Sequence, residues 1–286
     1  MKKFTVDEAR SMKGGRKLAV ITSYDYSMAQ IADKSGVDIV LVGDSASMVV
    51  MGNKDTIPIT LDEMLLFSKA VSRGVENALL VADMPFMSYN VSLDKAVENA
   101  CRLVKEGGVD AIKIEGGLSM QSTAKAIVQA GVPVMGHIGM MPQTASLHSG
   151  YKVQGKTVYS AKKIIEDAYA LEEAGVFSIV LELMAEEVAK VVTEEIRVPT
   201  IGIGSGAYCD GQVLVLHDIL GLYGKLSPKF VKRYVNLSET IQKVLETYRE
   251  DVISGRFPQD KHTFHMDEKE FNVFMKELGR KVSPPR

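Results

Sequence analysis

The sequence predicts an α/β chain of the (β/α)8 TIM-barrel class, with additional helices at its C-terminus. Three observations predict it: eight short Val/Ile/Leu-rich runs, amphipathic stretches between them, and a polar residue of catalytic type at the end of almost every run. Apolar runs without alternation suit parallel strands covered on both faces. Eight of them alternating with helices favour closure into a barrel over the rival doubly wound open sheet. A length of 286 residues fits one such domain.

In order, the runs cover residues 18–24 (LAVITSY), 38–45 (DIVLVGDS), 77–84 (NALLVADM) and 109–116 (VDAIKIEG). They continue with 132–139 (VPVMGHIG), 178–183 (SIVLEL), 198–204 (VPTIGIG) and 213–218 (VLVLHD). Helical periodicity fills residues 61–73, 92–106, 119–130, 161–174 and 185–195. Thr60, Ser92, Ser119 and Ser160 precede these segments as capping residues. Gly36, Gly74, Gly107, Gly131 and Gly175 suit left-handed positions after helices. Residues 227–286 break the rhythm. Residues 227–254 read as one or two long helices and 266–278 as a short amphipathic one, flanked by Pro258 and the closing SPPR. Without strands or much core of its own, this segment is expected to be a helical extension packed on the barrel, within a single domain spanning residues 1–286.

Composition excludes several function classes. Lys and Arg total 34 against 36 acids, a net charge of -2, which offers no footprint for nucleic acid or an anionic membrane. The basic clusters at Lys162–Lys163 and Lys229 to Arg233 read as solvated helix faces. Cys101 and Cys209 have neither CxxC spacing nor further cysteine partners, which fits a reducing compartment. The N-terminal MKKFTVDEARSMK is not followed by an apolar run, and no stretch is long and apolar enough to span a bilayer. Cytoplasmic residence, without membrane or nucleic-acid partners, is therefore expected.

The strand ends gather the chemistry. Strand 2 delivers Asp44 and Ser45, strand 3 Asp83, strand 4 Lys113 and Glu115, strand 5 His137, and strand 6 Glu182. In a barrel these C-terminal ends converge on one face. Lys113 and Glu115 are two residues apart and so point to the same side of their strand. Burying so many charges is unfavourable unless they pair or bind a metal. Asp44, Asp83 and Glu115 are hard oxygen donors without a companion set of Cys or His, which favours Mg2+ over zinc or copper. Lys113 reads either as a Schiff-base lysine or as a fixed cation beside a developing oxyanion. Its carboxylate neighbours keep it protonated and favour the second reading. His137 reads as a ligand, an acid–base group, a hydrogen-bonding anchor or a satisfied core histidine. Glu182, desolvated in an apolar run, reads as a general base, or alternatively as one half of an internal ion pair with a lysine. The glycines of GIGSG (Gly202, Gly204, Gly206) resemble a phosphate cradle, or else allow close approach of another segment.

The strings VGDS, VADMPFMSY, KIEGG, GVPVMGHIGMMPQ, SGYKVQGK and IGIGSGAYCDGQVLVLHDILGL together resemble the ketopantoate hydroxymethyltransferase family, from about Phe4 to beyond Lys232. Only the C-terminal tail falls outside that resemblance. The resemblance implies an enzyme of pantothenate biosynthesis with a Mg2+ ion, forming homo-oligomers. It would transfer a hydroxymethyl group from 5,10-methylenetetrahydrofolate to 3-methyl-2-oxobutanoate, giving 2-dehydropantoate. By position in the family's motifs, Asp44, Asp83 and Glu115 would be metal ligands. Ser45 and Lys113, with Asp44 and Asp83, would hold the keto acid; Glu182 would accept a proton, and His137 would stand close to substrate. Two departures stand out. Ala46 and Ser47 replace the family's Leu-Gly after VGDS, removing a glycine's freedom from the loop at the substrate, and Ser205 replaces the alanine of GAG.

Two rivals remain. A Mg2+-dependent keto-acid enzyme of the phosphoenolpyruvate mutase and isocitrate lyase type would share barrel and enolate chemistry. Its reactive cysteine in a KKCGH-like loop is absent, and SGYKVQGK stands in the corresponding region. A non-catalytic binding barrel would be marked by loss of a ligand or of the base, and neither is lost.

Overall fold

Eight parallel strands close into a barrel in sequence order: β1 (Leu18–Thr22), β2 (Ile39–Val42), β3 (Leu79–Asp83), β4 (Ala111–Glu115), β5 (Val134–Gly139), β6 (Ser178–Glu182), β7 (Thr200–Ile203) and β8 (Gly211–Leu214). The computed structural model describes residues 3–145, 150, 152–224 and 228–280. Closure is made by β1 against β8, with Leu18 opposite Gly211 and Ile21 opposite Leu214. The chain divides into two compact units, Met1–Val235 and Asn236–Arg286.

Two apolar clusters build the first unit. One fills the barrel with Leu18, Val20, Ile39, Leu41, Leu79, Val81, Met135, Val180, Ile201 and Val213, joined by Phe177 and, from the N-terminal helix Val6–Ser11, Ala9. The other lies between the outward strand faces and the helices, and includes Val40, Leu80, Ile112, Leu103, Ile127 and Leu171. Strands apolar on both faces follow directly, because each successive residue serves the opposite cluster. The N-terminal segment is tied in by Asp210, which accepts hydrogen bonds from the N–H groups of Gly14 (3.0 Å) and Thr200 (2.9 Å) and pairs with Lys13 at 3.0 Å.

Helix boundaries correct the sequence reading in detail. Thr60 and Ser92 cap Leu61–Ser72 and Leu93–Lys105 as expected. Ser119 does not cap. It lies inside the 3-10 turn Leu118–Met120 that leads into Gln121–Gln129. Ser160 is the inner member of a capping box whose outer member is Thr157, so the helix Val158–Ala174 starts earlier than residue 161. Gly175 ends that helix with φ 93°, and Gly36 and Gly131 are also left-handed. Gly74 and Gly107 are not; a Cβ on Gly107 would stand 2.4 Å from the carbonyl oxygen of Leu103, so close approach selects glycine there. The apolar run at 213–218 is not one strand. β8 ends at Leu214 and the short helix Leu216–Ile219 begins at once, its Leu216 N–H donating to Thr22 Oγ1 at 2.9 Å.

In the second unit, helix Leu237–Ile253 and helix Glu268–Glu277 lie within the helical spans read at 227–254 and 266–278. Residue 227 and the closing SPPR lie outside the described residues.

Phe177, at 1% exposure, is among the largest fully buried side chains. Phe177→Ala is expected to cost about 3–5 kcal/mol. The check is a lowered urea midpoint with an unchanged denaturant slope.

Candidate active site

The alternation that fills the barrel also builds its site. On β3, Val81 points into the interior cluster, and Asp83, two residues on, shares that face. The same step runs from Met135 to His137 on β5 and from Val180 to Glu182 on β6, while β4 carries Ala111, Lys113 and Glu115 on one face. Apolar side chains therefore fill the lower barrel and ionisable ones the C-terminal end. Asp44 and Ser45 lie just beyond β2, entering the short helix Ala46–Val49. All seven predicted residues, Asp44, Ser45, Asp83, Lys113, Glu115, His137 and Glu182, line one cavity of about 450 Å³.

Lys113 Nζ stands 3.1 Å from Asp83 Oδ1 and 3.2 Å from His137 Nδ1. The Asp83 contact is electrostatic, since Oδ1 makes no aligned hydrogen bond. His137 Nε2 lies 3.2 Å from Glu182 Oε2, and its Nδ1 lies 3.6 Å from Glu115 Oε1. Burial and the Lys113 charge hold His137 neutral by lowering its pKa well below the usual value. With an ammonium donating to Nδ1, the proton of the neutral ring resides on Nε2, which lies near Glu182 without making an aligned hydrogen bond. Glu182 thus neighbours an imidazole rather than the lysine of the ion-pair reading.

Each of the three deeper carboxylates is held by a hydrogen bond to one of its oxygens. Asp44 N–H donates to Asp83 Oδ2 at 3.0 Å, Gln143 N–H to Glu115 Oε2 at 3.1 Å, and Gln143 Nε2 to Asp44 Oδ2 at 2.9 Å. Asp83 Oδ1 and Glu115 Oε1 are buried without a hydrogen bond. Asp83 Oδ1 already faces the Lys113 ammonium, whereas Glu115 Oε1 has the neutral His137 ring near it. A buried carboxylate oxygen left in that condition suits a cation such as Mg2+. Among the described residues, no group of three or more His, Cys, Asp or Glu is arranged to hold a metal ion by itself. Asp44, Asp83 and Glu115 line the cavity without forming such a group, so water or substrate oxygens would have to complete the shell of a Mg2+ ion held there.

The electrostatics follow from crowding. Burial, then the charge of Asp83, raises Asp44 to about 7. Burial and Asp44 push Glu115 well above the usual carboxylate range. Burial raises Glu182 to about 8, against the opposing pull of Lys113. Burial alone would lower Lys113, yet Asp83, Glu115 and Asp44 hold it above its ordinary value, so it stays an ammonium. A charged lysine is a poor nucleophile, which supports the fixed-cation reading.

Three site residues escaped the sequence reading. Tyr24 shares a 2.8 Å hydrogen bond with Ser45 Oγ, and burial keeps its phenol protonated. Gln143 and Tyr89 are buried behind the carboxylates and bonded to one another at 2.7 Å. Tyr89 and Gln143 end two of the strings that carry the family resemblance, VADMPFMSY and GVPVMGHIGMMPQ, and Tyr24 ends the run LAVITSY, yet none of the three was given a role there. The short helix Pro142–Ala145 that carries Gln143 has no periodicity to read. Ser47 does not need a glycine's freedom, because it is helical, fully buried and donates to Asp55 O at 2.7 Å. The GIGSG glycines follow the close-approach reading: a Cβ on Gly204 would meet Phe230 at 2.8 Å, and one on Gly206 would meet Glu186 at 2.4 Å. Of the segment SGYKVQGK, Ser149 and Tyr151 lie outside the described residues. Neither free cysteine lines the cavity.

Comparison with known proteins bears on this geometry. The family model described as ketopantoate hydroxymethyltransferase matches residues 3–260. The chain is 54% identical over 279 residues to 3-methyl-2-oxobutanoate hydroxymethyltransferase of Nitrosopumilus maritimus (strain SCM1), covering 98% of this chain and 100% of the relative. The enzyme of that name from Clostridium beijerinckii (strain ATCC 51743 / NCIMB 8052) is 50% identical over 266 residues, covering 93% and 96%. These matches reach into the C-terminal segment, which the sequence reading had left outside the resemblance. Among solved structures, phosphonopyruvate hydrolase superposes with a TM-score of 0.61 at 12% identity, covering 98% and 97% of the two chains. A 2,3-dimethylmalate lyase of the PEP mutase/isocitrate lyase superfamily gives 0.59 at 13%, covering 98% and 97%. At such identities these structures share the fold and nothing finer.

Glu182 has a folded pKa of about 8 against an ordinary 4.5. Between those values the folded chain keeps a proton that the unfolded chain has released. Its stabilising effect is full below the unfolded pKa and is lost as pH rises through the folded one. Glu182→Gln removes this penalty. The Tm of the ligand-free variant is expected to exceed that of the parent by several degrees at about pH 9, with the gap closing toward about pH 5. Differential scanning calorimetry across that range checks it.

Proposed function

The chain belongs to the ketopantoate hydroxymethyltransferase family, and on that premise we propose that it transfers a hydroxymethyl group from 5,10-methylenetetrahydrofolate to 3-methyl-2-oxobutanoate, forming 2-dehydropantoate. The observation that carries the reading is Glu182, a carboxylate lining the cavity with a pKa raised to about 8, beside a neutral imidazole and across from an ammonium. That is the equipment for removing a proton adjacent to a carbonyl.

The keto acid fits the cavity by chemistry. Leu41, Val180, Ile203 and Val213 form an apolar wall suited to its branched hydrocarbon end. Ser45, steadied by Tyr24, and Lys113 offer donors and positive charge for its carboxylate and carbonyl oxygens. Asp44, Asp83 and Glu115 would hold Mg2+, Glu115 presenting a buried oxygen without a hydrogen bond and Asp83 one that otherwise faces the Lys113 ammonium. When bound, that ion supplies Lewis acidity toward the keto acid's oxygens and makes the neighbouring C–H more acidic.

Glu182 then takes the C3 proton onto a carboxylate oxygen, with the neutral His137 ring 3.2 Å away. The ammonium of Lys113 stabilises negative charge developing on the carbonyl oxygen, in a site where burial strengthens the attraction. Water adds to the one-carbon unit and releases it from the folate nitrogens as formaldehyde-level carbon, leaving tetrahydrofolate. The activated carbon forms its new C–C bond to that unit, and the oxygen derived from water takes a proton to become the hydroxymethyl group. A protein of this composition, with no helix among the described residues long and apolar enough to cross a membrane, would meet both substrates in the cytoplasm.

Hydrogen–deuterium exchange at C3 of 3-methyl-2-oxobutanoate, followed by NMR, tests the proposal. Exchange is expected in the parent protein with Mg2+, to disappear on chelation, and to fall by about 100-fold or more in Glu182→Gln. Absence of exchange in the parent while the keto acid demonstrably binds would remove Glu182 from its assigned role.

A further inference from the structure

We infer that Gln143 and Tyr89, neither of which lines the cavity, act as a positioning pair that sets Asp44 and Glu115 at the separation and orientation a divalent cation requires. The inference rests on the Mg2+ reading given above and goes beyond it by assigning which residues make that binding tight.

Five hydrogen bonds carry it. The side-chain amide of Gln143 spends both of its protons on fixed acceptors, Asp44 Oδ2 and Met84 O, each at 2.9 Å. Its Oε1 accepts from Tyr89 OH at 2.7 Å, and its backbone N–H donates to Glu115 Oε2 at 3.1 Å. One residue therefore holds carboxylates that arrive from two different strands, and Asp44 is 99 positions away in the chain. Tyr89 closes the circuit by accepting from Glu115 N–H at 3.1 Å. Gln143 and Tyr89 are 1% and 2% exposed, so water does not compete for these bonds.

The pattern of occupied and free oxygens gives the arrangement its direction. On Glu115 the Gln143 bond falls on Oε2, leaving Oε1 buried without a hydrogen bond. A bond made only to strengthen the fold would have no reason to leave its neighbour atom orphaned at a cost of about 1–3 kcal/mol. A ligand oxygen held ready for a cation accounts for it, and partners of ligating carboxylates typically contribute 10–100-fold to metal affinity.

The test uses the full chain and Mn2+ as probe, with free ion counted by electron paramagnetic resonance, in the presence and absence of 3-methyl-2-oxobutanoate. Gln143→Met keeps the side-chain length and removes its donors and acceptor. Tyr89→Phe keeps the ring and removes the hydroxyl. The expected result is a Kd raised about tenfold or more in Gln143→Met and by a smaller factor in Tyr89→Phe. In turnover, the lost rate of both should be largely recovered by raising Mg2+, so the defect appears in the metal dependence rather than in the saturated kcat. Leu103→Ala, in the outer core, supplies the control of a protein that loses stability through packing alone: its Tm should fall while its Mn2+ Kd stays within twofold of the parent. If Gln143→Met does not fold, Tyr89→Phe decides the matter. Parent-like Mn2+ affinity in the folded variants overturns the inference and leaves the function reading intact. Failure of the parent to bind Mn2+, with or without keto acid, overturns the metal reading and this inference together.

Discussion

Around the buried ammonium of Lys113 the barrel gathers the carboxylates of Asp44, Asp83, Glu115 and Glu182, and the rest of the site depends on that imbalance of charge. Lys113 stays protonated because Asp83, Glu115 and Asp44 outweigh the burial that would neutralise it. The carboxylates outnumber it, and the shortfall appears as pKa values driven upward, to about 7 at Asp44 and about 8 at Glu182. A site in this condition favours anything that brings positive charge, whether protons or a hard cation. It also keeps a carboxylate basic enough to take a proton from carbon near neutral pH.

Such a cluster survives only on a scaffold that does not need the site for its own stability. The barrel provides that by division of labour along each strand. Lower inward positions are apolar and closely packed, with Phe177 and the N-terminal helix contributing at the interior. Outward positions meet the helices in the larger cluster. The polar ends are then free to be selected for chemistry. They are tied to neighbours by single hydrogen bonds, as Asp44 N–H is to Asp83 Oδ2, rather than saturated by them. Incomplete satisfaction is the mark that separates this cluster from structural carboxylates elsewhere. Asp210 and Asp33 accept several backbone hydrogen bonds, and both have their pKa lowered despite burial.

His137 illustrates how one side chain links the two halves of the chemistry. Its Nδ1 faces the ammonium and its Nε2 lies 3.2 Å from the carboxylate of Glu182, so its tautomer is fixed by Lys113. Lys113 and Glu182, on opposite sides of the cavity, are thereby linked through one neutral ring. Nothing in the spacing of residues shows that coupling; it follows from β4, β5 and β6 lying in register, with Glu115 beside His137 and Gly139 beside Glu182.

The sequence by itself determined the barrel and the inventory of its site. Doubly apolar strands have few ways to be covered, and a period of two fixes which side chains share a face, so Asp83, Lys113, Glu115, His137 and Glu182 were legible from strand-end position alone. Where period and cap signals fade, the reading slipped: Ser119 as a cap, Gly74 and Gly107 as left-handed ends, and an eighth strand that gives way to helix after Leu214. Only the tertiary structure decided how the inventory is arranged. Tyr89 and Tyr24 lie in loops and Gln143 on a four-residue helix too short to show a period, and their partners stand far away in the chain. A hydrogen bond across such a distance depends on atomic positions that exist only once the barrel has closed. Residue types and spacings therefore named the charges, and packing alone settled which oxygens are held and which are left free.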